Sequence, residues 1–219
     1  MRSQIETLKS FHTIDLKKAT RTTLVKLIKQ RGGIELKVLV VYYSETGNTE
    51  KIARAIYEEV PKEHEAHLKK IKEVTADTLN SYDLVFLGSA CHSADLAAPV
   101  KRILEALPKS PRFKLAGFLT HSVPCPEDSA RTRELFNRWA GKCRLSFEKI
   151  SKEKQIDFKG YFNCQGVPSP PIQEFIKNEV IVSANEWKAY MEEVRKHPSP
   201  EDLQKAKGFT REVLSRMKF

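Results

Sequence analysis

The chain's 219 residues are enough for one α/β domain with appendages and too few for two full-sized domains. Forty per cent apolar and thirty per cent charged residues describe a globular chain, and no apolar run approaches the ~20 residues that cross a bilayer, so a transmembrane protein is excluded. The formal charge of +10 is unevenly spread: residues 1–34 hold eight Lys/Arg against two Asp/Glu, a surplus of +6, which leaves +4 for everything after them.

Residues 1–34 read as a basic extension with helical stretches, the better one over residues 16–30, and Arg31-Gly32-Gly33 stops it. No apolar stretch followed by a small-residue cleavage site occurs near the N-terminus, which predicts a cytoplasmic protein. Residues 36–43 (LKVLVVYY) form a nearly unbroken apolar run rich in β-branched and aromatic side chains, the pattern of a strand buried on both faces of a parallel sheet. From Asn48 to Val60 the period changes to that of a helix, which Pro61 ends. Further strands are predicted near residues 66–74, 82–90, 114–120 and 156–164, alternating with helices over 98–107 and, long and charged, over 127–149. Five strands alternating with helices predict a doubly wound, parallel α/β sheet. A Pro-rich turn at 167–171 leads into helical pieces near 172–179, 184–196 and 200–217. The last opens on Ser199 as N-cap, Pro200 at the first position and Asp202 three residues after the cap.

The loop between the first strand and first helix is Ser44-Glu45-Thr46-Gly47-Asn48-Thr49. In a parallel sheet such a loop runs into a helix N-terminus, where unpaired N–H groups favour an anion. It has three hydroxyls, a glycine for a tight turn, and neither Lys nor Arg. A nucleoside-triphosphate loop would need Gly-Lys-Ser/Thr and a dinucleotide fold would carry G-x-G-x-x-G; both are absent. A neutral, hydroxyl-rich cradle suits one terminal phosphate monoester.

This motif resembles the Ser/Thr-x-Thr-Gly-x-Thr phosphate loop of flavodoxins. Residues 36–60, 84–99 and 197–203 (HPSPEDL) also resemble a branch of flavodoxin-family proteins found in anaerobic prokaryotes, so the likeness runs from about residue 36 to 217. It implies a flavodoxin-like five-stranded sheet in the order 2-1-3-4-5 within residues 35–219, extended by N- and C-terminal helices, with FMN as cofactor. The resemblance also implies that the isoalloxazine ring lies between the loops after the third and fourth strands. Here these are residues 90–95, with Ala90, Cys91, His92 and Ser93, and residues 121–126, with His121, Ser122 and Cys125. Neither contains Trp, Tyr or Phe, a departure from the electron-carrier pattern.

His92 is a candidate to stack on the flavin or to place a proton near it, and Tyr43 a candidate ligand contact, while His121 reads as structural and His197 as a turn residue. The four cysteines form no CxxC pair and no zinc-ligand spacing, as expected of reduced thiols, and no metal site is expected. Cys91, Cys125 and Cys164 fall at the ends of strands three, four and five, which a parallel sheet gathers at one edge. Ordinary packing is the preferred reading of the three; the rival is a thiol pair or soft-metal site beside the flavin. Cys143, within the long helix, reads as packing.

Together these features point to an FMN-dependent redox protein working in electron transfer, its basic surface suited to an acidic redox partner such as a ferredoxin. On the same fold the alternatives are an NAD(P)H-dependent flavin or quinone reductase and a cofactor-free binding module. The basic extension is expected to pack by its apolar stripe on the domain or on another copy in a homo-oligomer, rather than to bind nucleic acid.

Overall fold

A computed structural model of the protein describes residues 35–124 and 129–217. The basic extension, Cys125 and the first residues expected in the long charged helix lie outside that description.

Strand β1 (Lys37–Tyr42) is buried along its length after Lys37, because its alternate side chains enter two different cores. Helix α1 (Asn48–Glu59) follows, then the edge strand β2 (Glu65–Lys70), a single 3₁₀ turn (Ile71–Glu73) and the short helix α2 (Ala76–Leu79). Strand β3 (Leu84–His92), the two-residue β4 (Asp95–Leu96), helix α3 (Ala98–Glu105) and strand β5 (Lys114–His121) complete the middle of the sheet. Helices α4 (Ala130–Trp139) and α5 (Gly141–Lys154) lead to the second edge strand, β6 (Phe158–Gln165). Helix α6 (Pro170–Phe175) passes into a π-helical turn (Ile176–Val180), and α7 (Ala184–Val194) and α8 (Pro200–Ser215) end the fold.

The hydrogen-bonded order is β2-β1-β3-β5-β6, all parallel, with β4 antiparallel on β3. Counting the five parallel strands alone, this is the expected 2-1-3-4-5 order. Leu39, Val41, Val85, Leu87, Leu115 and Leu119 point to one face and pack against Val100 and Leu104 of α3 and Phe147 of α5. Val38, Val40, Leu84, Phe86 and Phe118 point to the other, against Ile52 and Ile56 of α1 and Ala206 and Val213 of α8. A period of two within each strand thus builds two cores from one sheet.

Three sequence expectations are corrected. The second strand stops at Lys70, where the chain tightens into the 3₁₀ turn rather than running on to Val74. The third strand does not stop at Ala90. It continues to His92 and reverses through Ser93 and Ala94, both left-handed (φ 50° and 64°), pairing His92 with Asp95 and Cys91 with Leu96. Two consecutive left-handed residues are the backbone of a tight two-residue hairpin, which Asn-Gly ordinarily supplies and which this sequence therefore conceals. The long charged helix is two helices, broken at Ala140 (φ −140°, ψ −18°) just before Gly141. Gly costs a helix about 1 kcal/mol relative to Ala. The two halves also want different surroundings: α4 buries no residue fully, whereas α5 buries Cys143, Phe147 and Ile150. The start of α8 follows expectation, with Ser199 Oγ accepting from the Asp202 N–H and Asp202 Oδ2 accepting from the Ser199 N–H at 2.7 Å.

Candidate functional site

The loop after β1 tightens at Gly47, whose φ of +85° is open to glycine at low cost and costly to other residues. Gly47 is also the N-cap of α1, so no side chain caps that helix, and the first-turn N–H groups face the loop unclaimed by a cap. The Gly47 N–H donates to Ser44 Oγ at 3.1 Å, and Asn48 Nδ2 donates to both Thr46 Oγ1 and the Val167 carbonyl at 2.8 Å. Thr49 Oγ1 lies 2.8 Å from Thr120 Oγ1 in a buried contact. These bonds hold a concave cradle of hydroxyls and amides with a cavity of about 60 Å³. By the volume one water occupies, that admits roughly four water-sized groups, which fits a phosphate.

Ser44, Glu45, Thr46, Asn48 and Thr49 line this cavity together with Ala90, Cys91, His92, His121 and Ser122. The three loops named from the sequence therefore converge. Six lining residues were not read from the sequence as part of the site: Thr120, and Gly166, Val167, Pro168, Ser169 and Ile172 from the segment after β6. Gly166 packs so tightly that a Cβ there would lie 2.9 Å from Asn48 Cβ and Cγ. The signal available was positional, since in a parallel sheet the residues following every strand gather at the same edge.

A second cavity of about 390 Å³ adjoins the first, and the two share Cys91, His121, Ser122 and Ile172. Its walls are apolar: Val123, Pro124, Leu135, Trp139, Phe175, Ile176, Ile181 and Tyr190, with Ser93 and Ala94 at one side. The loops lack aromatic residues, as the sequence showed, but α4, α6 and α7 bring Trp139, Phe175 and Tyr190. Trp139 and Phe175 meet edge to face at 5.6 Å, and the Tyr190 hydroxyl donates to the Ser122 carbonyl at 2.8 Å. Burial holds the Tyr190 phenol well above its ordinary pKa, so it stays a neutral donor. The volume lies within the ordinary range for small-molecule sites.

His121 is 5% exposed, with Nε2 2.9 Å from Asn163 Oδ1. Burial keeps its pKa below the usual 6.5, so the ring is neutral at pH 7. His92 stands at the rim, 3.6 Å from a Glu45 carboxylate oxygen and edge to face with Tyr43 at 5.7 Å. The Tyr43 hydroxyl donates to Glu45, and that bond, ahead of burial, raises the phenol's pKa. His197 sits in a turn before a cis Pro198 and bonds Asp202 Oδ2 at 2.6 Å.

Packing, the preferred reading, holds for Cys91 and Cys164, and the rival pairing of the two does not. Cys91 packs against the core on one face of the sheet and Cys164 lies within the core on the other, because their strand positions differ in parity. Cys125 lies outside the described residues. The thiol beside Cys91 is that of Cys143, 3.4 Å away. Among the described residues no group of three His, Cys, Asp or Glu side chains is placed to hold a metal ion, and no helix is long and apolar enough to cross a membrane.

A five-stranded doubly wound sheet with a hydroxyl-rich cradle at the carboxyl end of its first strand defines the flavodoxin-like class of α/β proteins. Residues 39–211 match the Flavodoxin domain family, and the chain belongs to that family. It is similar to the flavodoxin-like domain-containing protein BilS of Clostridioides difficile, at 26% identity over 188 residues, covering 82% of this chain and 97% of that one. An uncharacterized protein of Methanocaldococcus jannaschii is 24% identical over 180 residues, covering 82% and 99%. Among solved structures, oxidised flavodoxin 2 from Bacillus cereus superposes with a TM-score of 0.55 at 20% identity, covering 82% of this chain and 99% of that one.

Proposed function

We propose that the protein is an FMN-binding redox protein that exchanges electrons with a protein partner. The observation that carries this reading is the pairing of a small hydroxyl-rich cradle lined by neither Lys nor Arg, about 60 Å³, with an adjoining apolar cavity of about 390 Å³. A ligand with a phosphate monoester at one end and a flat, largely apolar ring at the other matches both. The cradle's donors, the Thr46 and Thr49 hydroxyls and the amides of α1's first turn, would hold the phosphate. Trp139, Phe175 and the Ser93–Ala94 turn would enclose the ring, and the neutral imidazole of His121 and the Ser122 backbone lie where the two cavities join. FMN, when bound, supplies one- and two-electron chemistry; the chain's part is to bind it, orient it and exclude water.

The direction of electron flow to a macromolecule is supported by the rim of the apolar cavity. Ile172 and Phe175 line it yet are 46% and 42% exposed. Large apolar side chains left in water at the mouth of a ligand cavity suit a protein surface that docks transiently. The surplus of basic charge outside the extension favours an acidic partner of the ferredoxin kind.

Titrating the purified chain with FMN and with riboflavin tests the reading. Quenched flavin fluorescence with FMN bound at least tenfold more tightly than riboflavin is the expected result, because only FMN fills the cradle. Failure to bind either flavin overturns it. The reductase alternative on the same fold would show steady NAD(P)H oxidation with a quinone acceptor; the carrier reading predicts no such turnover.

A further inference from the structure

Two thiols meet at the wall of the apolar cavity, and nothing in flavin binding requires them. Cys91, next to last in β3, is half-buried and lines both cavities. Cys143, the third residue of α5, is fully buried. Their Sγ atoms are 3.4 Å apart, the Cys143 thiol donating to Cys91 Sγ, while the Cys91 thiol donates to the Trp139 carbonyl at 3.2 Å. A disulfide bond is about 2.05 Å long, so the sulfurs need to close by roughly 1.3 Å, within reach of small side-chain rotations.

The backbones that carry them are already fixed to one another. Asp95, in the hairpin that pairs Cys91 with Leu96, accepts from Ser146 Oγ of α5 at 2.5 Å and from Lys101 Nζ at 2.8 Å. Cys143 and Ser146 are three apart on the same helix, so one carboxylate holds the hairpin against the turn of α5 that presents the second thiol. The arrangement also gives the thiols different parts. Cys91 opens onto the cavities, and Cys143 is buried behind it.

We propose that Cys91 and Cys143 are a reversible dithiol–disulfide site that exchanges with a low-molecular-weight disulfide of the glutathione class, Cys91 attacking and Cys143 resolving. The Cys91 thiol first gives its proton to solvent. Its thiolate attacks one sulfur of RSSR; the RS–SR bond breaks, a Cys91–SR mixed disulfide forms, and the first RS⁻ leaves and takes up a proton. Cys143 Sγ then attacks Cys91 Sγ. The Cys91–SR bond breaks, the Cys91–Cys143 bond forms, and the departing second RS⁻ takes the Cys143 proton. Two cysteine thiols are oxidised by two electrons, and RSSR is reduced to two RSH. The hydrogen bond with Cys91 and then burial hold the Cys143 thiol far above its ordinary pKa, so it is a thiol at rest and its proton passes to the departing RS⁻ in the same step in which the Cys91–Cys143 bond forms. In the disulfide the bond from Cys91 to the Trp139 carbonyl is gone, so the oxidation state is felt at the cavity wall.

The proposal stands apart from the flavin reading and is tested without flavin. The full chain is equilibrated in oxidised and reduced glutathione, alkylated, and analysed by mass spectrometry of the intact protein and its peptides. Of its four cysteines, two are expected to escape alkylation, linked Cys91 to Cys143. Cys143→Ala and Cys143→Ser are expected to stop at a glutathione adduct on Cys91, whereas Cys91→Ser leaves Cys143 fully alkylatable after denaturation, and Cys164→Ser behaves as the parent does. Four alkylated thiols in the parent under a buffer that oxidises dithiothreitol overturn the proposal. So does a link from Cys91 or Cys143 to Cys125 or Cys164.

Discussion

Substituting Gly166 by Ala tests whether the segment after β6 is a working wall of the cradle. The added methyl would lie 2.9 Å from Asn48 Cβ and Cγ and 3.0 Å from Nδ2, too close for any ordinary contact. Asn48 has no free direction of retreat, since its amide is held by Thr46 Oγ1 and the Val167 carbonyl, each at 2.8 Å. Either both bonds break, at about 1 kcal/mol each, or the overpacking is accepted at a similar cost of about 1–3 kcal/mol. A loss of about 2 kcal/mol lowers Tm by roughly 4–8 °C for a domain of this size. Because Asn48 positions Thr46, FMN should bind about tenfold more weakly, equivalent to about 1.4 kcal/mol, while riboflavin, which leaves the cradle empty, should be unchanged. Thermal melts and flavin-fluorescence titrations read both. A variant with parental Tm and parental FMN affinity would refute the reasoning, and equal weakening of FMN and riboflavin would place the effect outside the cradle.

The remaining predictions concern the second cavity and its supports. Trp139→Ala removes one side of the apolar wall and should weaken FMN and riboflavin alike by about tenfold, and Trp139→Phe should lose most of the tryptophan fluorescence quenching that flavin binding causes. His121, held neutral by burial, has a folded pKa below its unfolded 6.5, so the unfolded chain binds a proton first as pH falls. Stability contributed by the neutral ring is therefore complete above pH 6.5 and declines below it, by up to about 1.4 kcal/mol per pH unit, until the folded pKa is reached. Urea unfolding at pH 7, 6 and 5 should show that decline, and His121→Gln should flatten it. Ser93→Gly, at an exposed left-handed position, should stabilise by about 0.5–1 kcal/mol by relieving strain. Ala94→Gly, whose methyl is buried, should be nearly neutral because lost burial of about 0.8 kcal/mol offsets the relief.

What the sequence disclosed and what it hid divide along a physical line. The buried run of β1, the turn from it into α1 at Ser44–Thr49 and the Ser199-Asp202 capping box are local patterns, each complete within a few residues, and the structure places all three where the sequence does. The cradle's partners Thr120, Gly166 and Val167 lie far from it in sequence and become neighbours only because parallel strands deliver their carboxyl ends to one edge. The hairpin at Ser93 and Ala94 was hidden because these residues do not advertise the left-handed turn they adopt. The ring loops are bare of aromatic residues, as read, and the aromatic wall comes from helices later in the chain. Cys143 looked like packing for the same reason: its spacing with Phe147 and Ile150 is that of a core stripe, and nothing local announces that Cys91 lies at the end of it.

The break at Ala140 joins these hidden features into one. In an uninterrupted helix the Cys143 N–H would bond the Trp139 carbonyl, four residues back. Here it bonds the Ala140 carbonyl instead, at 3.1 Å, and the Trp139 carbonyl accepts the Cys91 thiol. The change of direction leaves Trp139 as the last residue of α4, its ring against Phe175 and its side chain on the apolar cavity, while α5 turns Cys143 into the core beside Cys91. A residue that favours a continuous helix, Gly141→Ala, meets only ordinary contacts with Asn137 and Phe136 in the present backbone. It therefore tests preference rather than fit. If helix propensity governed the junction, this substitution would restore the Cys143-to-Trp139 bond and separate the thiols. Because burial of Cys143, Phe147 and Ile150 governs it, the break and the 3.4 Å thiol contact should both survive.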